Sequence, residues 1–176
     1  MRAFAVVLAA VASASLGVGS ARAQSEFEAP QRYGDAGTNH VGVSLGLGSG
    51  NGLVWAAGAE YGHFIMDGVA PTAEVSVSGG SQVLTVARTM AALRLLPWRS
   101  GSVWPLLVPR AGRLFIENNP DLWGAGGTVG VIVGLSGRVA LQVSYEYLRL
   151  FPRGDCTTLS TGCSLQRWGL GFVLGF

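Results

Sequence analysis

The chain has 176 residues, of which 49% are hydrophobic and only 12% are charged. This composition excludes a highly charged disordered protein and suits a single folded domain. All basic residues are Arg and they form no basic run, so the sequence gives no reason to expect nucleic-acid binding.

The first 23 residues have the pattern of a secretory signal peptide. Arg2 supplies a positive charge, residues 3–18 form a short apolar stretch, and Ala21-Arg22-Ala23 matches the A-x-A cleavage motif. The stretch is too short for a membrane-spanning helix, and no Cys follows the motif to carry a lipid anchor. We therefore predict a mature chain that begins at Gln24. Because residues 1–23 contain two Arg and no acid, the mature chain has ten basic and ten acidic residues.

From residue 38 onward the chain repeats one unit, an alternating segment followed by a short turn. Apolar residues occupy one parity of each segment and small or charged residues the other, which is the period-2 pattern of a β-strand. Glycine, at 27 residues, is spread through these segments, as a closely curved sheet requires. Residues 24–37 are predicted to form a short, loose periplasmic lead. The pattern predicts eight strands, at about 38–48, 53–65, 70–78, 83–96, 103–116, 122–135, 138–151 and 165–176.

The fourth and fifth strands have the least regular pattern. The outward face of the fourth is only mildly apolar, which leaves its register open. Pro105 and Pro109 cannot donate to a β-ladder, so the fifth strand is expected to contain a bulge or a locally open pairing. Arg110 and Arg113 have opposite parity, and the sequence does not decide which of them points inward.

The only two cysteines, Cys156 and Cys163, lie in the longest predicted connection, 152–164. In an exported protein such a closely spaced pair predicts a disulfide, and its small loop limits the stabilisation to about 2–3 kcal/mol. A redox or metal pair is the alternative. It is disfavoured because the spacing is not C-x-x-C and no His lies nearby.

The last strand and the aromatic residues predict a membrane barrel. From Trp168 to Phe176 every second residue is apolar, and an uncovered apolar row of this kind is stable against lipid rather than water. We therefore predict an all-β fold, a transmembrane antiparallel up-and-down β-barrel of eight strands over residues 38–176. Two belts of rings at the lipid headgroups are expected. The external belt would contain Trp55, Phe115, Trp123, Tyr147, Phe151 and Trp168, and the periplasmic belt Tyr61, Trp98, Trp104 and Phe176.

The end of the chain also carries an assembly motif, with Gly171, the apolar Leu174 and the terminal aromatic Phe176. In this respect residues 38–176 resemble the small eight-stranded outer-membrane barrels of Gram-negative bacteria, of the OmpA-transmembrane-domain and OmpX type. Gly169 departs from the polar residue that this family prefers there. The resemblance implies a place in the cell envelope, folding by the outer-membrane barrel assembly machinery with Phe176 as a recognition residue, and contact with lipopolysaccharide and phospholipid.

Six charged residues share the predicted inward face, because a charge that faces lipid at the bilayer centre costs a few kcal/mol. Inside the barrel they are expected to pair. Two interpretations stay open, a packed ionic plug and a narrow charge-lined conduit. An eight-stranded barrel is just wide enough for its own side chains, which favours the plug. The predicted lumen network consists of Glu60, Glu74, Arg88, Arg94, Glu146 and Arg167.

Enzymes of this scaffold include lipid A deacylases and palmitoyl transferases. The deacylase pattern implies a His-x-Ser, but His40 is followed by Val41-Gly42 and His63 by Phe64-Ile65. We therefore predict no enzymatic activity, no cofactor and no metal site. The expected functions, in order, are a structural or surface-interaction barrel with a largely plugged lumen, a narrow pore for ions or small solutes, and a lipid A-modifying enzyme. The sequence identifies no surface partner.

Overall fold

The computed structural model describes residues 32–50, 52–80, 83–116, 121–151 and 163–176. The predicted eight strands are confirmed, with bounds that differ from the sequence pattern by one or two residues. In chain order they are β1 (Asn39–Gly50), β2 (Gly52–His63), β3 (Val69–Gly80), β4 (Val83–Leu95), β5 (Val103–Ile116), β6 (Leu122–Gly134), β7 (Val139–Phe151) and β8 (Ser164–Gly175).

The strands form one closed antiparallel barrel in which each strand pairs with the next and β8 returns to β1. The closing ladder places Val43 opposite Phe172 and Leu45 opposite Leu170. Closure leaves no unpaired strand edge, so every strand can satisfy its backbone hydrogen bonds within the wall. Among the described residues no helix is long and apolar enough to cross a membrane.

The two irregular strands settle their register in the structure. The β4–β5 ladder is interrupted between Ala92↔Arg110 and Leu95↔Leu107, but the register is the same on both sides. Pro109 lies in the gap and has no N–H to donate, so the interruption is a locally open pairing rather than a bulge. The register of the β3–β4 ladder does shift by one residue, between Ser78 and Gly80. The sequence pattern ended the third strand at about residue 78, whereas β3 continues to Gly80.

The outward face of the barrel is apolar and the inward face carries the polar groups. Leu45, Leu170 and Phe172 are at least half exposed, whereas inward residues such as Arg88 and Glu74 are buried. The predicted aromatic residues are outward and exposed, with one exception. Trp104 points inward, stacks on Tyr33 at a ring distance of 6.2 Å and donates from Nε1 to the Gly101 carbonyl. The prediction of Trp104 in the periplasmic belt was wrong because its parity in β5 is that of the buried Leu106 and Val108.

The two ends of the barrel differ. At one end, here called the turn end, the connections 64–68, 96–102 and 135–138 meet residues 32–38 and Phe176. The other end, the loop end, carries the connections that interrupt the described ranges. Within the lumen, one apolar cluster that includes Phe64, Leu106, Val108 and Ile132 fills the turn end. A second, of Met90, Leu114, Leu122, Leu148 and Leu150, fills one side of the loop end.

Candidate functional site in the lumen

Five charged side chains from five strands meet in the middle of the lumen. We call Glu74, Arg88, Arg110, Glu146 and Arg167 the central cluster. Arg88 donates to both oxygens of Glu146, at 2.6 and 3.1 Å, and to Glu74 Oε1 at 3.0 Å. Arg167 Nε donates to Glu146, and Arg167 Nη2 lies 3.6 Å from Glu74. Each carboxylate is thus shared among several guanidinium groups.

Arg110 completes this cluster and was not assigned from sequence. Its Nη1 donates to Glu74 Oε2 at 2.6 Å and approaches Glu146 Oε1 at 3.5 Å. Arg113 instead points outward, where its guanidinium lies 5.7 Å from the Trp123 ring and 3.7 Å from Asp121. The opposite parity of Arg110 and Arg113 did not decide which of the two side chains points inward. The signal that decides is the register with β4, which pairs Arg110 with Ala92, a residue of the same parity as the inward Arg88 and Arg94.

A second ion pair lies apart from the central cluster, near the turn end. Arg94 Nη2 donates to Glu60 Oε1, and Arg94 is almost completely buried. Glu60 lies over Gly42, its partner on β1, where a Cβ would collide with the carboxylate. The six predicted network residues therefore all lie in the lumen, but Glu60 and Arg94 form a pair of their own.

Tyr33, which lies before the first strand, occupies the turn end of the lumen. It is only 2% exposed, and its hydroxyl accepts a hydrogen bond from Arg94 Nη1 at 2.8 Å. Its ring packs edge-on against Phe64 at 5.3 Å and stacks on Trp104. Burial raises the pKa of the Tyr33 hydroxyl to about 12, against the opposing effect of the Arg94 charge.

The segment around Tyr33 is bound to all three connections of the turn end, to two of them through the backbone and to the third through a side chain. Tyr33 donates to the Gly137 carbonyl, Gly34 accepts from Gly68, and Gly37 donates to Phe64, with distances of 2.7–3.0 Å. Asp35 adds an ion pair with Arg99 at 2.7 Å. The expectation of a loose lead was wrong for residues 32–37, because the sequence pattern of strands does not reveal a preceding segment that folds back over the barrel mouth. Residues 24–31 lie outside the described ranges.

His40 is buried beside Tyr33. Its ring lies 6.0 Å from Tyr33 and 5.2 Å from Phe64, and neither ring nitrogen has a hydrogen-bond partner among the described residues. His63 lies on the outer surface, where Nδ1 is 3.0 Å from Asn39 Oδ1. In the described part of the chain, no group of three His, Cys, Asp or Glu side chains is arranged to hold a metal ion.

Two cavities flank the central cluster. A small one of about 30 Å³ lies between the cluster and Glu60, beside Thr128 and Gln142. It has room for only one or two water molecules. A larger cavity of about 250 Å³ lies on the loop-end side of the central cluster. It is lined by Arg88 and Arg167 and by Ser78 and Val54.

The remaining predicted residues are distributed over β8 and the last connection. Gly171 points inward against β1, and Leu174 points outward. Phe176 exchanges two backbone hydrogen bonds with Asn39, which fastens the chain end to the wall. Cys163 is not a free cysteine, but Cys156 lies outside the described residues, so their disulfide stays a prediction.

The fold of the chain is similar to that of solved β-barrel structures, although none of the protein-family models compared with it matches and no curated protein is similar in sequence. Neisserial surface protein A (NspA) superposes with a TM-score of 0.61 at 14% identity, over 79% of this chain and 96% of NspA. The N-terminal β-barrel domain of Pseudomonas aeruginosa OprF superposes with a TM-score of 0.62 at 12% identity, over 80% of this chain and 98% of that domain. The chain therefore has the fold of the small eight-stranded β-barrels.

Proposed function

We propose that this protein is an integral outer-membrane β-barrel whose lumen is closed by its own side chains and by residues 32–38. The observation that carries the proposal is the inverted polarity of the closed barrel. Large apolar side chains cover the outside, while four Arg and three Glu side chains are held in the lumen. A barrel with this polarity is stable in a bilayer, where its apolar wall meets hydrocarbon and its backbone is satisfied internally.

The aromatic residues support a membrane position with defined depth. Exposed rings such as Trp55, Trp123 and Trp168 lie near the loop end, and Tyr61 and Trp98 lie near the turn end. Rings prefer the two headgroup regions, so these belts mark the borders of the hydrocarbon layer. The predicted signal peptide and the predicted assembly motif of Gly171, Leu174 and Phe176 favour the outer membrane of a Gram-negative cell, with the turn end in the periplasm.

The proposal is tested by tryptophan depth in vesicles. The refolded mature chain would be reconstituted into phospholipid vesicles with bromine at a headgroup-near or a central acyl position. Trp123 and Trp168, kept singly in otherwise Trp→Phe chains, should be quenched more strongly by the headgroup-near bromine. If neither bromine position quenches the tryptophan fluorescence and the protein is recovered outside the vesicles, membrane insertion is contradicted.

Within this class we favour a structural or surface-interaction role over a pore. The central cluster and the turn-end apolar cluster occupy the lumen at successive heights, and the small cavity between the cluster and Glu60 is about 30 Å³. A role in conduction is the second candidate, because the 250 Å³ cavity leaves part of the loop end hollow. Ion conductance across planar bilayers separates the two.

We infer that the protein is not an enzyme. Neither His40 nor His63 has a serine or carboxylate partner among the described residues, so no nucleophile and base are paired. An unchanged lipid A mass on overexpression would support this inference, and a loss or gain of an acyl chain would overturn it.

The partners that follow are lipids and the assembly machinery. We propose that the apolar wall contacts lipopolysaccharide and phospholipid, and that Gly171, Leu174 and Phe176 are read by the barrel assembly machinery during folding. Replacing Phe176 by Ser should reduce the amount of barrel in the outer membrane without preventing refolding in detergent. Equal amounts of the wild-type chain and of the Phe176→Ser variant in the outer membrane would contradict this role.

A further inference from the structure

The central cluster carries more positive than negative charge. Three guanidinium groups, of Arg88, Arg110 and Arg167, are matched by only two carboxylates, of Glu74 and Glu146. No other described acid lies within salt-bridge distance of the cluster, since Glu60 pairs with Arg94. A charge that is removed from water without a counter-charge is expensive, so one excess positive charge in a lumen favours the binding of an anion.

Of the three guanidinium groups, that of Arg167 is the most exposed, whereas Arg110 is buried and borders only the small cavity. Arg88 uses Nε and both terminal nitrogens for hydrogen bonds to Ser76, Glu74 and Glu146. Arg167 donates to Glu146 through Nε alone, and its Nη2 is 3.6 Å from Glu74, which is beyond hydrogen-bond distance. Its side chain is 19% exposed, against 4–6% for Arg88 and Arg110. The outer edge of the Arg167 fork is therefore available to a ligand.

This edge borders the 250 Å³ cavity at the loop end. Arg167 and Arg88 line the cavity from the central cluster, and Ser78 lines it from β3. Glu146 also borders it, but both of its oxygens already accept hydrogen bonds from guanidinium groups. The wall that β1 and β2 form between Arg167 and Arg88 is made of small or apolar residues, which include Gly46, Ala56 and Val54. Such a wall leaves space for a ligand without competing for the guanidinium group.

We propose that this loop-end cavity is a binding site for a small inorganic oxyanion of the sulfate and phosphate class, with Arg167 as its main ligand. The planar guanidinium group matches two oxygens of such an anion, and the Ser78 hydroxyl can donate to a third. The negative charge of the bound anion offsets the excess positive charge of the central cluster. The site is part of the lumen and needs only a folded barrel, so it does not depend on whether the barrel conducts or which partner it has.

The test is an anion titration of the refolded mature chain in amine-oxide micelles, which contain no phosphate. Sodium sulfate or sodium phosphate replaces sodium chloride at constant ionic strength, and NMR follows the Arg167 Nε–H and the backbone amides of Gly46 and Ser78. We expect saturable shifts at these lining groups. Absence of a saturable shift in the wild-type chain overturns the proposal.

Two Arg variants separate a site from general charge effects. Arg167→Gln leaves two Arg against two Glu and should weaken binding at least tenfold. Arg149→Gln removes the same charge from the exposed outer surface and should change the affinity less than twofold. Equal weakening in both variants would mean that the anions only screen the protein, and would overturn the site.

Arg167→Lys keeps the charge but loses the fork, so it should bind with intermediate affinity. It also serves if Arg167→Gln does not fold, which is checked by heat-shifted gel mobility. Wild-type affinity in Arg167→Lys would show that the fork is not the ligand and would contradict the assigned role of Arg167.

Discussion

The two halves of the lumen are closed by different means. At the turn end, aromatic and aliphatic side chains pack around one neutral ion pair, Arg94 and Glu60, and Tyr33 covers it from outside the strands. Toward the loop end, the strands alone supply five charges with one positive charge in excess, next to an open cavity. The turn end is thus a packed hydrophobic seal with one polar pair, whereas the middle is an electrostatic closure that depends on every carboxylate.

The comparison teaches which groups each half can lose. Removal of a shared carboxylate leaves several buried guanidinium groups without a counter-charge, which costs much more than the loss of one apolar contact. Removal of Tyr33 leaves a void and an incompletely bonded Arg94, but no new net charge.

The largest effect is expected for Glu146→Ala, which removes the carboxylate that Arg88 and Arg167 share. The free energy of unfolding should fall by about 3–5 kcal/mol, as for other broken buried ion pairs. Urea unfolding in vesicles measures it. The matched control is Asp121→Ala, which breaks the half-exposed pair with Arg113 and should cost less than about 1 kcal/mol. An equal cost for both variants would contradict a central electrostatic closure.

Tyr33→Ala should be the next largest change, because it removes a fully buried ring from the turn-end seal. We expect a loss of about 3 kcal/mol from the void and the lost packing. Tyr33→Phe keeps the ring and loses only the hydrogen bond from Arg94, so it should cost about 1 kcal/mol. A wild-type stability for Tyr33→Ala would show that residues 32–38 do not seal the barrel.

Alkaline pH tests the same seal without a large structural change. The pKa of Tyr33 is about 12 in the folded state and 10.0 normally, chiefly because burial disfavours the phenolate. The unfolded chain therefore loses this proton first, so the stabilisation is complete below pH 10 and is lost as the pH rises toward 12. The loss should reach about 2–3 kcal/mol. Urea unfolding from pH 9 to 12 measures it, and Tyr33→Phe should lack this part of the pH dependence.

The smallest effect is expected at the rim of the turn end, for Asp35. Burial opposes ionisation, but hydrogen bonds from the Arg32 backbone and from Arg99 hold the pKa of Asp35 below its ordinary value of 3.8. Its contribution is present above that value and is lost as the pH falls through the lower folded-state pKa. Because the pair is partly exposed, Asp35→Asn should cost less than about 1 kcal/mol at neutral pH. A larger loss would place the main support of the seal at the rim rather than at Tyr33.

The wall of the barrel was predictable because its determinants are local. Alternation with period 2 fixes which side chains share a face, and at the depth of the bilayer centre only the inward face of a membrane barrel can carry charge, which placed Arg88, Glu74 and Glu146 inward. The pairing partners were not predictable in the same way. Glu60 and Glu74 lie opposite each other in the β2–β3 ladder. Glu60 nevertheless forms its ion pair with Arg94, whereas Glu74 pairs with the Arg side chains of the central cluster.

Two features depend on contacts that no single strand encodes. Tyr33 precedes the alternating pattern, and its burial follows from the bonds that residues 33–37 make to three separate connections. Arg110 follows two prolines and precedes Arg113 by three residues. Only the register with β4 and β6 decides that its side chain points into the lumen. Tyr33 and Arg110 both help to close the lumen. The sequence therefore predicted which charged residues lie in the lumen better than it predicted their pairing and packing.

Single-channel conductance of the refolded mature chain in planar bilayers tests the closed lumen most directly. Folding is first shown by heat-shifted gel mobility, so that a silent sample is a folded barrel. The account predicts no discrete conductance steps from the wild-type chain, since the central cluster and the Tyr33 seal block the lumen in series. Discrete and reproducible steps from the wild-type chain would contradict it.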